Sequence, residues 1–273
     1  MSQQSLILPA PGQRAVRIRR LLEVLGAVSI AATFIFLVLT QPADITNGLA
    51  SGSTLVALGG FLLGAILLII GVLPTLPTST LVLIPVALVL NIALGQIMGS
   101  TGLPFYFDAI GTVLIAVLAG PAAGAATGAL SSIVWSFINP TVLPFAAGAA
   151  LIGFLSGLAA RHGLFRRFYL APVAGFVTGI LAGVVSAPIA AFVFGGTSGA
   201  GTGAIVGAFR AMGDTLLAAI TKQALISDPM DKAIVFTVVA LLVYALPRRT
   251  TLQFAFVRRF NVLAGKKQET PGA

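Results

Sequence analysis

Aromatic, amide and charged side chains gather at three places in a chain that is otherwise almost free of them. The first holds Asn91, Gln96, Phe105, Tyr106, Phe107 and Asp108, and the second Ser131, Ser132, Trp135, Ser136, Asn139 and Thr141. The third runs from Arg210 and Asp214 through Lys222 and Gln223 to Asp228, Asp231 and Lys232. Ring faces with a few hydrogen-bonding and charged anchors are what a small-molecule pocket requires of its lining. Bond-breaking chemistry is not offered. His162 is the one histidine, so paired-His metal sites are excluded; beside Arg161 it reads as a solvated cation at a helix end. No GxSxG elbow appears and no P-loop is present to hydrolyse ATP. There is no cysteine, which rules out disulfides, iron–sulfur clusters and thiolate metal sites. The expectation is a binding protein without a resident cofactor, not an enzyme.

Each candidate has a plainer role beside the functional one. Asp108 precedes an apolar helical run and is either its N-cap or a ligand contact. Tyr106 and Trp135 are either pocket walls or aromatics of the membrane interface. Arg210 and Asp214, four residues apart, form either a helix-surface ion pair or a charged contact to ligand. Ser227-Asp228-Pro229 with Asp231 reads as a helix start: a cap, a proline at the first position and an acid in the first turn. Asn91 and Gln96 fall at or near membrane depth, where an amide needs a partner on another helix or on a ligand. The substrate-binding set drawn from these is Asn91, Gln96, Tyr106, Asp108, Trp135, Asn139, Arg210 and Asp214.

The elements that must position them are membrane helices. Of 273 residues, 58% are apolar and 8% charged. A soluble domain of this size could not hide so much apolar surface. Spans need about 20 apolar residues, and eight candidates follow, at roughly 21–41, 52–73, 79–98, 107–120, 122–138, 142–160, 170–194 and 229–247. The fourth is short, so it must be tilted or broken. Gly120-Pro121 and Asn139-Pro140 mark turns. Arg14, Arg17, Arg19 and Arg20 precede the first stretch, which is expected to be a retained helix and not a cleaved signal.

A net charge of +9 would point a soluble protein towards nucleic acid, but here it follows from basic loops on one side of a membrane. With eight alternating spans, the N-terminal arginines fall on the same side as Arg161, Arg166 and Arg167. Arg248, Arg249, Arg258, Arg259, Lys266 and Lys267 join them. Both termini are therefore expected in the cytoplasm. The 195–228 segment then lies outside, as an amphipathic surface helix, a lid or a re-entrant hairpin.

Small residues recur at every fourth position: Gly120, Gly124 and Gly128; Ala149, Gly153 and Gly157; Gly175, Gly179 and Gly183; Gly60 and Gly64; Ala27 and Ala31. Such stripes let helix backbones approach closely, either within one bundle or against a second subunit.

The stretch YFDAIGTVLIAVLAGPAAGAATGALSSIVW, followed by NPTVLPFAAGAALIGFLSGLAAR and SDPMDKAIVFTVVALLVYALPRR, resembles substrate-binding S components of energy-coupling factor transporters. The resemblance covers residues 79–249 as a six-helix core. It leaves 1–78 as a basic N-terminus with two extra transmembrane helices and 250–273 as a basic cytoplasmic tail. It implies an all-α, polytopic membrane bundle in a bacterial plasma membrane that captures a vitamin or vitamin precursor. It also implies partners: a coupling membrane protein and two ATP-binding subunits, which use the ATP. The family's metal-binding branch relies on an N-terminal His-rich site that this chain lacks, so an organic ligand is expected. The family's Ala-x-x-x-Ala docking surface has two counterparts, a degenerate Ala87-x-x-x-Asn91 and a literal Ala27-x-x-x-Ala31 in the extra first span. Two other classes stay open: a stand-alone ion-coupled transporter, and a ligand-binding membrane sensor or scaffold.

Overall fold

Residues 13–42, 51–196 and 200–263 are described by the computed structural model. Thr197, Ser198 and Gly199 of the predicted outer segment, and Lys266 and Lys267 of the tail, lie outside the described residues. The described chain is helical: α1 (Gln13–Thr40), α2 (Gly52–Val72), α3 (Thr78–Thr101), α4 (Ile110–Ala119), α5 (Pro121–Ser136) and α6 (Ala146–Arg161) come first. They are followed by α7 (Leu170–Pro188), α8 (Ala200–Ala211), α9 (Leu216–Ala245), α10 (Arg248–Thr251) and α11 (Ala255–Phe260).

Among the described residues, five segments are long and apolar enough to cross a membrane: Gln13–Thr40, Gly52–Thr75, Thr80–Thr101, Pro140–Arg161 and Leu170–Phe192. The chain is thus a multi-pass membrane helix bundle. Outward-facing Leu39, Val82, Val89 and Val177, all exposed, are apolar side chains that only lipid accommodates in such numbers. The predicted fourth span is a 10-residue helix, about 15 Å long at 1.5 Å per residue, half a bilayer core. Its residues from Ile110 to Leu118 are almost all buried, so α4 is a central strut and not a lipid-facing span. Gly120, at φ +99°, ends α4, and Pro121 opens α5 at the first helical position, where its missing N–H costs nothing.

The glycine stripes serve packing inside this chain. A side-chain carbon on Gly124 would meet the Gly153 carbonyl, one on Gly153 the Gly124 carbonyl, and one on Gly128 the Ala149 carbonyl, so α5 and α6 lie backbone to backbone. α7 meets α9 in the same way, with Gly175 against the Lys232 carbonyl and Gly179 against Asp228 and Pro229. The N-terminal pair is antiparallel. Arg19 donates to the Gly71 carbonyl at 3.0 Å, Ser29 donates to the Gly60 carbonyl at 2.8 Å, and Gly26 lies against Gly64. This pair joins the core mainly through α2 against α5, sharing buried Ile30, Phe61 and Leu68 with Ala125, Ala129 and Ile133.

The predicted last span starts too late. Ser227-Asp228-Pro229 is not a helix start, because α9 begins at Leu216 and runs without a break to Ala245. Thr215 is the cap, its hydroxyl accepting the Ala218 N–H at 3.3 Å. Ser227 bonds backwards to the Gln223 carbonyl at 3.2 Å, the pattern of a helix interior. Pro229 is carried inside the helix, where tight packing on Gly179 surrounds it. The 195–228 segment accordingly holds, among its described residues, α8, a turn at Gly213 (φ +96°) and the first turns of α9.

Candidate functional site

A cavity of about 450 Å³ opens where one end of α3, α5 and α9 meets the 102–109 loop, α6, α7 and α8. That volume suits a small organic ligand. Trp135 of α5, Phe105 and Tyr106 of the loop, and Phe145 and Phe194 supply aromatic walls. Phe145 and Phe194 stack with ring centres 5.7 Å apart, as do Phe105 and Phe107. Gly148, Ala149, Ala182 and Ala187 keep the floor low because they carry almost no side chain. Polar groups reach in from Gln96, Asp108, Ser131, Ser132, Asn139, Gln223, Asp228 and Lys232. Three stretches far apart in sequence therefore share one wall.

Of the eight sequence-predicted binding residues, Gln96, Tyr106, Asp108, Trp135 and Asn139 line the cavity. Gln96 accepts the Trp135 indole N–H at 3.1 Å, which fixes the ring across the mouth. Gly95 lies directly under that ring, where a side-chain carbon would collide with it. Asn139 accepts the Thr141 N–H at 3.2 Å and its hydroxyl at 2.6 Å, capping the 3₁₀ turn Pro140–Phe145. Its amide nitrogen makes no hydrogen bond among the described residues and is available to a ligand.

Asn91 stands behind the wall, not on it. It is fully buried, accepts the Gly111 N–H at 2.7 Å and donates to Thr112 at 2.8 Å and Ser131 at 2.9 Å. Those two hydroxyls face the cavity, so Asn91 sets their direction. Asp108 does not cap α4; Ala109 holds that position without a side-chain bond, and Asp108 instead binds Lys232 at 3.1 Å. Arg210 and Asp214 do not line the cavity, nor do they pair by side chain. Arg210 donates to the Asp214 backbone carbonyl at 2.9 Å, and the Asp214 carboxylate holds Lys222 at 2.7 Å on the surface. Both flank the turn at Gly213 (φ +96°), where their polar groups are taken up by each other and by Lys222.

The proposed docking positions also separate. Ala87 and Asn91 are buried, with Ala87 pressed on Gly111 of α4, so they present no surface to a partner. Ala27 and Ala31 are exposed on α1 and line a second, apolar groove of about 790 Å³ between α1 and the core.

The group that sequence reasoning underrated is on α9. Asp231 is fully buried; one carboxylate oxygen accepts the N–H groups of Tyr106 (2.9 Å) and Phe107 (3.0 Å). The other oxygen holds Lys232 at 2.5 Å, and Lys232 also reaches Asp108. Phe107 sits at φ +50°, a left-handed conformation that a phenylalanine adopts only when its surroundings dictate it. Burial, and next the charge of Asp228, pushes the Tyr106 phenol above its ordinary value, so it enters the site as a hydrogen-bond donor. The available signal was Asp228, Asp231 and Lys232 within five residues at the edge of an apolar run, and such residues mark function by default. A capping interpretation absorbed them.

Comparison of the chain with protein-family models, with curated proteins and with solved structures returns no match.

Proposed function

We propose that this protein is the substrate-capture membrane subunit of an ATP-driven importer of the energy-coupling factor type, taking up a small organic nutrient such as a vitamin or its precursor. The observation that carries the reading is the cavity: a ligand-sized, aromatic-walled space with a few polar anchors, in a bundle whose helices expose many large apolar side chains. The sequence carries no ATP-binding motif, so the energy for release comes from partner subunits. The cavity end faces outward and both termini face the cytoplasm, in keeping with the basic loops. The 102–109 loop, the 139–145 turn and α8 then close over the ligand, with aromatic rings packing on it and Gln96, Asp108 and Asn139 offering hydrogen bonds.

One observation favours a second reading, an ion-coupled transporter. Asp228, Asp231 and Lys232 are buried on one helix, as coupling groups in such carriers are. Native mass spectrometry of the chain extracted gently from its host membrane tests the first reading. Co-purifying ATP-binding subunits together with a bound small molecule support it. A chain without ATPase partners, whose uptake in ATP-free vesicles collapses with an uncoupler, overturns it in favour of the second.

A further inference from the structure

The cavity wall holds two carboxylates, and only one of them forms an ion pair. Asp108 faces Lys232, whose ammonium also serves Asp231. Asp228, one helical turn before Lys232, is 8% exposed, lines the cavity and forms no ion pair among the described residues. The other basic groups of this region are engaged elsewhere, Lys222 with the Asp214 carboxylate and Arg210 with the Asp214 carbonyl. The Ser227 hydroxyl is the hydrogen-bonding side chain beside Asp228, and it is shared with Gln223, whose amide it accepts and whose carbonyl it also reaches. From behind, Gly183 of α7 leaves no gap, since a side-chain carbon there would stand 3.0 Å from the Asp228 Oδ2. Asp108 and Asp231 share one lysine, and Asp228 stands buried on the cavity wall without a basic side chain bonded to it, an arrangement that a cationic ligand group would complete. The aromatic walls add ring faces that attract cations.

We infer that the ligand is an organic cation: a protonated amine, an amidinium or an N-alkylated heteroaromatic ring. Its positive nitrogen sits against the Asp228 carboxylate, and Trp135 and Phe145 take its apolar body. The inference rests on the capture reading above and narrows its substrate class. An anionic nutrient would meet Asp228 with like charge, and a neutral one would leave it unanswered.

The test has two parts, both on the full chain. In the first, the protein is purified from its host membrane, and the small molecule it releases on denaturation is identified by mass. In the second, the ligand-free chain in nanodiscs is titrated with three probes of one ring size: N-methylnicotinamide (cation), nicotinamide (neutral) and nicotinate (anion). Trp135 is the single tryptophan, so its fluorescence reports occupancy directly. The expected result is a released cation, or the cationic probe binding at least tenfold more tightly than the other two. Asp228→Asn, nearly isosteric, should weaken that binding roughly 30-fold or more, as loss of one partner of a buried charge pair does. If Asp228→Asn does not fold, the charge preference of the wild-type chain decides alone. A released neutral or anionic compound, equal binding of all three probes, or a cation preference unchanged in Asp228→Asn overturns the inference and leaves the capture reading standing. A chain that releases nothing and binds no probe overturns both.

Discussion

Replacing Asp231 separates two jobs that one carboxylate performs. Oδ2 answers Lys232, and Oδ1 holds the 102–109 loop through the N–H groups of Tyr106 and Phe107 at 2.9 and 3.0 Å. Asp231→Asn keeps an oxygen for the two N–H groups, removes the charge and turns an amide donor towards Lys232. Breaking a buried pair costs about 3–5 kcal/mol. The low end applies, about 3, because Asp108 still reaches Lys232 at 3.1 Å. Asp231→Ala loses the acceptor as well. Two unsatisfied donors at about 1–3 kcal/mol each, both only partly buried, add roughly 2–4 kcal/mol. The assay is unfolding in mixed micelles titrated with a denaturing detergent, paired with hydrogen exchange of the peptide covering 102–109. Asp231→Ala should unfold earlier than Asp231→Asn, and it alone should exchange rapidly at Tyr106 and Phe107. Equal stability and equal exchange in the two variants would refute the assignment of Oδ1 to the loop.

Further consequences are open to direct measurement. Gly95→Val drives a side chain into the Trp135 ring, so Trp135 emission should shift and ligand affinity fall at least tenfold, with far-ultraviolet dichroism unchanged. Gly179→Leu forces α7 off Asp228 and Pro229, and overpacking of this kind should cost about 1–3 kcal/mol in the same unfolding assay. Asn91→Leu should reduce binding although Asn91 never touches the ligand, because Thr112 and Ser131 lose their donor; a Thr112→Ala/Ser131→Ala background should abolish most of that effect in a double-mutant comparison. Asp214→Asn removes a surface pair with Lys222 and should change stability by less than about 1 kcal/mol and binding not at all.

Local chemistry was the readable part of this chain. Gly120-Pro121 and Asn139-Pro140 break helices because left-handed glycine and proline act within one turn, and both breaks stand where the dipeptides fall. Fourfold spacing of glycine foretold close helix packing, although not which helix meets which. Tyr106, Asp108, Trp135 and Asn139 could be singled out because polar groups at the ends of apolar runs are few. What escaped were choices made across long sequence separations. Pro229 looks like a helix start until Gly179, fifty residues earlier, supplies the surface that lets the helix pass through it. Asp108 looks like a cap until Lys232, 124 residues away, claims its carboxylate. The ten-residue α4 was expected to cross a membrane from its hydropathy, yet apolar character on every side equally describes a helix with protein on every side.

The 102–109 loop is fastened unequally along its length. At Tyr106 to Asp108 it is bound to α9 by ionic and hydrogen-bonded contacts, so any tilt of α9 carries that half of the cavity roof with it. At Gly102 and Leu103 it meets Gly201 of α8 through close backbone contact alone, with no hydrogen bond between them among the described residues. Prising the roof from α9 means exposing a buried charge. The loop's position and the tilt of α9 are therefore one motion, and α9 is the post from which this half of the roof hangs.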